Sequence, residues 1–312
     1  MRILFLLLIF IFYSVSVHSS EGETKRSDSN ASDFKSVDAP QFSVITTGYS
    51  AGTLEAMVVE GGDVFEVRTL AHPAVLVRHP KGVLLWDTGL GTQLEDQMAS
   101  FSWFDQQLFK VVDHKPAVEQ LREAGFDLSL IDMVIPSHMH WDHVSGLEDF
   151  SPVPVWVQEV SFKEAQEGEP PGFVASQFDD PSINWSFISL EDGAYEGFAQ
   201  SMDVFGDSSV VLVDTSGHAH GHLGMFLNLE GGARYFFIGD TTWVLEGVTN
   251  NSSRPWLVKT IVGVDADFEQ NAGVVEKVHQ LSVDQPDIVI VPAHDERVLE
   301  SLPAFPVFFP SG

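Results

Sequence analysis

The chain has 312 residues, 44% of them apolar, enough for one large domain or two small ones with a sizeable core. Its 45 acidic residues against 16 basic ones leave a formal charge of −29, which argues against nucleic-acid phosphates and anionic lipid surfaces as partners. There is no cysteine, so disulfides, thiolate nucleophiles and cysteine-held zinc are excluded, and any metal must rest on histidine and carboxylate.

Residues 1–19 read as a secretory signal: Arg2, a continuous apolar run from Ile3 to Tyr13, and a small residue, Ser19, at the cleavage position. The run is shorter than the roughly twenty residues a membrane span needs. The expectation is therefore a secreted or periplasmic protein with no stable membrane association after cleavage. The site is not a clean Ala-x-Ala, which keeps an uncleaved anchor as the alternative. Residues 20–40 are rich in Ser, Asp, Glu and Lys and read as a disordered polar leader. The folded domain is expected over 41–312.

Within it, strands are predicted over Phe42–Thr47, Val64–Leu70, Ala74–Arg78 and Val83–Trp86. Helical spacing runs from about Phe101 to Ala124 through Leu108, Val111, Val112, Val118 and Leu121, with Pro116 dividing it into two helices. Met133–Ile135 and Val155–Val157 read as strands, and a less regular stretch covers Glu167–Asp192. Further strands follow at Val210–Val213, Met225–Leu229, Tyr235–Ile238 and Ile288–Val291, with a helix over Glu269–Leu281. Strands followed by helices suggest sheets covered on their outer faces.

The stretch Ile135–Gly146 carries the strongest chemical signal. His138, His140, Asp142 and His143 fall within six residues just after a short apolar strand, and are expected on a loop where they can converge. Neutral imidazole and carboxylate are first-row-metal ligands, and four so close suit two ions better than one. Four other segments share one pattern, an apolar run, a small-residue turn and a polar side chain. They are Leu84–Gly89 with Asp87, Val213–His222 with His218, Phe237–Thr241 with Asp240, and Val291–Asp295 with His294.

Taken in order, these segments resemble the metallo-β-lactamase-fold hydrolase superfamily over roughly residues 41–300. The resemblance implies an α/β fold, an αββα four-layer sandwich with the metal site at one edge of its two sheets. It implies two divalent ions, one held by His138, His140 and His218, the other by Asp142, His143 and His294, with Asp240 and a hydroxide bridging them. Such a pair activates water near neutral pH and clamps a developing oxyanion, and Asp142 would orient the water or receive its proton. Zinc is the default ion, and manganese, iron or cobalt suit the same ligands. Asp87 and Thr241 are expected to support the ligands rather than bind metal, and His218 is preferred over His220 and His222. His72, His79 and His114 read as structural or solvated. Trp141 and Trp243 are candidate pocket residues, with pocket loops over residues 101–109, 167–180 and 241–256.

Departures from the subfamilies narrow the substrate, expected to be a small molecule. The commonest metallo-β-lactamases use cysteine where Asp240 stands, glyoxalase II has a long helical domain after its last ligand, and diiron flavoproteins have Glu at the place of His140. N-acyl-homoserine lactonases share the ligand set, although they have Tyr where this chain has Trp243. Secreted relatives of methyl parathion hydrolase share it too. The expectation is hydrolysis of an ester or lactone; the alternatives are phosphotriester hydrolysis at the same site and a non-catalytic metal-binding or sensing protein.

Overall fold

The computed structural model describes residues 37–259 and 263–311. The expected signal over residues 1–19, and residues 20–36 of the leader, lie outside the described residues.

Seven strands form the first sheet: β1 (Gln41–Leu54), β2 (Val67–His79), β3 (Gly82–Trp86), β4 (Val111–Val112), β5 (Met133–Ile135), β6 (Pro154–Gln158) and β7 (Asn184–Ile188), in the order β4-β1-β2-β3-β5-β6-β7. The second holds β8 (Ser201–Asp203), β9 (Val210–Asp214), β10 (Leu223–Asn228), β11 (Arg234–Phe237) and β12 (Ile288–Val291), in the order β12-β11-β10-β9-β8.

Side-chain alternation along the strands builds the layers. On β2, Val75 and Val77 enter the core between the sheets with Val210, Leu212 and Met225, whereas Ala74 and Leu76 turn outward to Ala117, Val118 and Leu121 of the helix Ala117–Glu123. On β9, Val211 and Val213 meet Val274, Val278 and Leu281 on the far face. Those three lie at helical spacing on the helix Phe268–Asp284, whose N-terminus is capped by Asp267 accepting from the amides of Glu269 and Gln270. The result is the expected αββα sandwich.

Several local expectations change. The runs at Val64–Leu70 and Ala74–Arg78 join in one strand, β2, which starts only at Val67. Between the pairs Thr46–Pro73 and Tyr49–Ala71, two residues of β1, Thr47 and Gly48, stand opposite His72 alone, and this bulge carries the strand past Pro73. Val111 and Val112 are not helical; they pair with Ser50 and Tyr49 as β4, because the helix Trp103–Leu108 ends before them. β7 falls inside the stretch read as irregular. Its Asn-Trp-Ser-Phe-Ile pattern is that of a sheet edge, with only β6 beside it.

β3 runs parallel to β5, with Trp86 opposite Ile135, and β11 runs parallel to β12, with Phe237 opposite Val291. Parallel pairing makes these strands end together, so the turns carrying Asp87, His138, Asp240 and His294 all leave at C-terminal strand ends. The Leu223 amide donates to the Ser137 carbonyl at 2.8 Å and ties the two sheets at that edge.

Candidate metal centre

Asp142 and His143 lie not on an open loop but in a short helical turn, Trp141–Val144, for which His140 is the N-terminal cap residue. The turn allows convergence because His138 and His140 precede it, His138 in a bend and His140 in extended backbone. His138 Nε2 lies 2.9 Å from His140 Nδ1, which lies 2.9 Å from His218 Nε2. Three ring nitrogens this close cannot all be satisfied by shared protons, whereas one cation satisfies them together.

Asp240 joins this group to its neighbours. Its Oδ2 is 3.5 Å from His218 Nε2 and 3.1 Å from His294 Nε2, and its Oδ1 is 3.3 Å from His143 Nε2. Asp142 Oδ2 lies 3.4 Å from His294 Nε2. His143 Nε2 and Asp240 Oδ1 are buried and make no hydrogen bond. Buried donors and acceptors normally find partners, so such orphans at the focus of other ligands fit divalent ions.

The outward ring nitrogens are anchored, which sets each tautomer. Asp87 Oδ2 takes His143 Nδ1 at 3.0 Å while Oδ1 accepts from the Ser137 amide at 2.6 Å. Asp87 holds a φ of 53° to do so, a conformation uncommon outside glycine. His218 Nδ1 rests on Asp265 Oδ1 at 2.8 Å, and His294 Nδ1 donates to the Ala71 carbonyl at 2.7 Å. Arg254 joins Asp265 at 2.8 Å and also reaches the Asp240 carbonyl. A side chain at Gly239, where φ is 50°, would run into His222 Nε2, which instead accepts the Asp240 amide at 3.0 Å. His222 is thus the buried prop of the Asp240 turn, and His220 is exposed near Glu164.

Burial pushes His138 down, and pushes His140 down to about 3 with the His218 imidazole adding to it; both present neutral rings. Burial also lowers His143 and His294, but Asp87 beside the first and Asp240 beside the second outweigh it and raise both. Burial would raise the Asp240 carboxyl, and His294 and His143 hold it well below the usual carboxylate range.

Other expectations fare unevenly. The Thr241 hydroxyl makes no hydrogen bond, so this residue supports the site only through its backbone, where its carbonyl accepts from Asn271 Nδ2. Trp243 is half-buried under Arg254, 4.3 Å from its ring centre, and spends its indole N–H on Asp240 Oδ2 at 2.9 Å. Trp141 is buried edge-on against Phe101 and Phe109 in a small apolar cluster. From the pocket loops, Phe173 packs 4.8 Å from the His140 ring. His79 stacks on Phe205 and His114 is exposed, as expected. His72 is not remote from the basin: it is buried with Nδ1 3.0 Å from Asp142 Oδ2. An imidazole among the apolar residues Leu70, Ala71, Pro73 and Ala74 was its only signal, and Asp265 and Arg254 had none.

A two-sheet sandwich with this His/Asp basin at its strand ends defines a metal-dependent hydrolase. The model of the metallo-beta-lactamase superfamily matches residues 67–294, and the chain belongs to that superfamily. It is 24% identical over 242 residues to the N-acyl homoserine lactonase AttM of Agrobacterium fabrum, covering 76% of this chain and 86% of that protein. It is 25% identical over 178 residues to an N-acyl homoserine lactonase of a Bacillus species, covering 56% and 65%. In fold it resembles an N-acyl homoserine lactone hydrolase with N-hexanoyl-L-homoserine bound at its catalytic metal centre. That likeness has a TM-score of 0.67 at 18% identity, across 88% of this chain and 100% of the other.

Proposed function

We propose that the protein is an exported, binuclear hydrolase that opens the ester of an N-acyl-homoserine-lactone-like lactone or an aryl ester of similar size. The observation that carries this is the Asp240 carboxylate, which reaches toward His218 on one side and His143 and His294 on the other. His138, His140 and His218 would hold one ion; Asp142, His143 and His294 would hold the second, with Asp240 common to both. Zinc is the first choice, with manganese, iron or cobalt suited to the same donors. Such ions supply activation of water near neutral pH and polarisation of the attacked carbonyl.

The chain's own residues then perform the proton transfers and positioning. Asp142 receives the proton released as water adds to the carbonyl carbon. When the carbon–oxygen ester bond breaks, Asp142 returns that proton to the departing alkoxide. Asp87 and Asp265 keep the His143 and His218 rings turned inward. The lactonases that the chain resembles have a Tyr where Trp243 stands. Here the indole N–H is engaged by Asp240, so the substrate carbonyl must find another donor.

The test is a hydrolysis panel on protein of measured metal content: acyl-homoserine lactones of graded chain length, simple lactones, aryl esters and phosphotriesters. Fastest turnover on a lactone or ester with about two ions bound per chain is expected. Phosphotriesters ahead of every ester would move the assignment to that class, and two bound ions with no turnover would make this a binding protein. Export is tested separately by the N-terminal mass of the mature protein and cell fractionation.

A further inference from the structure

We propose that His72 is a further protein ligand of the second metal position, acting through Nδ1 beside Asp142 and His294. This rests on the metal-centre reading above and extends it to a residue outside the strand-end turns. The β1 bulge sets Thr47 and Gly48 opposite His72 alone, and bulges re-aim side chains in this way. Two hydroxyls of β1 then fix it. Thr47 Oγ1 donates to the His72 carbonyl at 2.6 Å, and Ser50 Oγ lies 2.8 Å from Nε2.

With Nε2 engaged, Nδ1 is the nitrogen left facing the centre. It is buried, lies 3.0 Å from Asp142 Oδ2, and shares a space with Asp142 and His294 in which all three donor atoms fall within 4.8 Å of one another. The pair lies at ion-pair distance, and Nδ1 is a buried nitrogen that completes no hydrogen bond of full geometry. Among the described residues, the buried imidazole and carboxylate atoms left without a hydrogen bond are His72 Nδ1, His143 Nε2 and Asp240 Oδ1. The other two are ligand atoms of the proposed centre, and His72 Nδ1 carries the same signature. Adjacent donors at about 2.1 Å from one ion stand about 3.0 Å apart at a right angle, which is the spacing found. A fifth protein donor on the second ion, beside Asp142, His143, His294 and Asp240, favours metals that accept six ligands over tetrahedral zinc.

The deciding experiment is 15N–113Cd NMR on the wild-type protein loaded with cadmium, with the metal count and lactone hydrolysis of the zinc form measured on the same preparation. A cadmium coupling at His72 Nδ1, with the proton on Nε2, is expected. Two bound ions with a proton on Nδ1 and no coupling would overturn the inference and leave the hydrolase reading intact. No bound metal would overturn both. A second route is His72→Leu, which should bind the second ion at least about 10–100-fold more weakly while the first is retained; a folded variant holding both ions as tightly as wild type sinks the assignment.

Discussion

His294 and Asp295 are neighbours in sequence, yet they serve two buried charge clusters of opposite design. Asp295 pairs at 3.1 Å with Arg68, which is fully buried and also binds Glu55, Glu246 and Glu296 at 2.8–3.2 Å. That cluster contains its own cation, and the guanidinium fork supplies a donor to each carboxylate. His294 enters the other cluster, where Asp142 and Asp240 meet imidazoles and one indole N–H but no cationic side chain, and where buried ring nitrogens and a carboxylate oxygen lack hydrogen bonds. A protein that closes one acidic cluster with arginine and leaves its neighbour open marks the open one as the place for an external cation. The same loop, after β12, therefore carries stability on one side and chemistry on the other.

The sharpest way to break that contrast is to treat each cluster as the other should be treated. Stripping metal with a strong chelator should abolish hydrolysis, with zinc or manganese restoring it, and should leave the Arg68 cluster intact. Asp142→Asn should keep the fold while lowering kcat by about 10²–10⁴-fold, the usual worth of a proton-transfer group. Wild-type turnover in that variant would remove Asp142 from the mechanism. Arg68→Met should do the reverse: it removes the buried cation beside Asp295, leaving Glu55, Glu246 and Glu296 to the half-exposed Arg297, and costs about 3–5 kcal/mol in urea denaturation. Loss of metal from an otherwise stable Arg68→Met protein would mean that the two clusters are one unit.

The two clusters also differ in how far they could be read from the sequence. The residues proposed as ligands were legible as a group because they follow closely on apolar strands, a local pattern that survives without knowledge of the fold. Asp87 was legible for the same reason. Arg68, Asp265 and Arg254 were not, since their partners come from distant segments and nothing beside them in the chain announces a contact. The place of His72 beside Asp142 was not legible, because a lone imidazole in a strand is ordinarily a core residue and only the bulge opposite it shows where it is aimed. The β4 pair was misread for a related reason: two valines between helical turns fit either period, and the pairing with β1 decides.

Asp265 sharpens the comparison at intermediate scale, because it pairs with an arginine and with His218, a proposed ligand, together. Burial would raise its carboxyl, but Arg254 and His218 outweigh that and hold it well below the ordinary range. A carboxylate depressed in the folded state contributes stability above its unfolded pKa of about 3.9 and loses it as pH falls toward the folded value. Asp265→Asn should therefore flatten the loss of stability below about pH 4, and should weaken metal binding about 10–100-fold. Unchanged metal affinity would assign Asp265 to the arginine alone.

The smallest effect tests whether a missing hydrogen bond is enough to identify a ligand. Thr241 Oγ1 is buried and unpartnered next to Asp240, but it is a neutral hydroxyl rather than an imidazole or a carboxylate. An unsatisfied buried hydroxyl costs about 1–3 kcal/mol, so Thr241→Val, which keeps the shape, should raise stability by about 1 kcal/mol with metal content and kcat unchanged. If that variant instead loses an ion, the hydroxyl faces the metals as His143 Nε2 does. The open cluster would then extend one residue past Asp240, and the line between ligand and support in this turn would have to be redrawn.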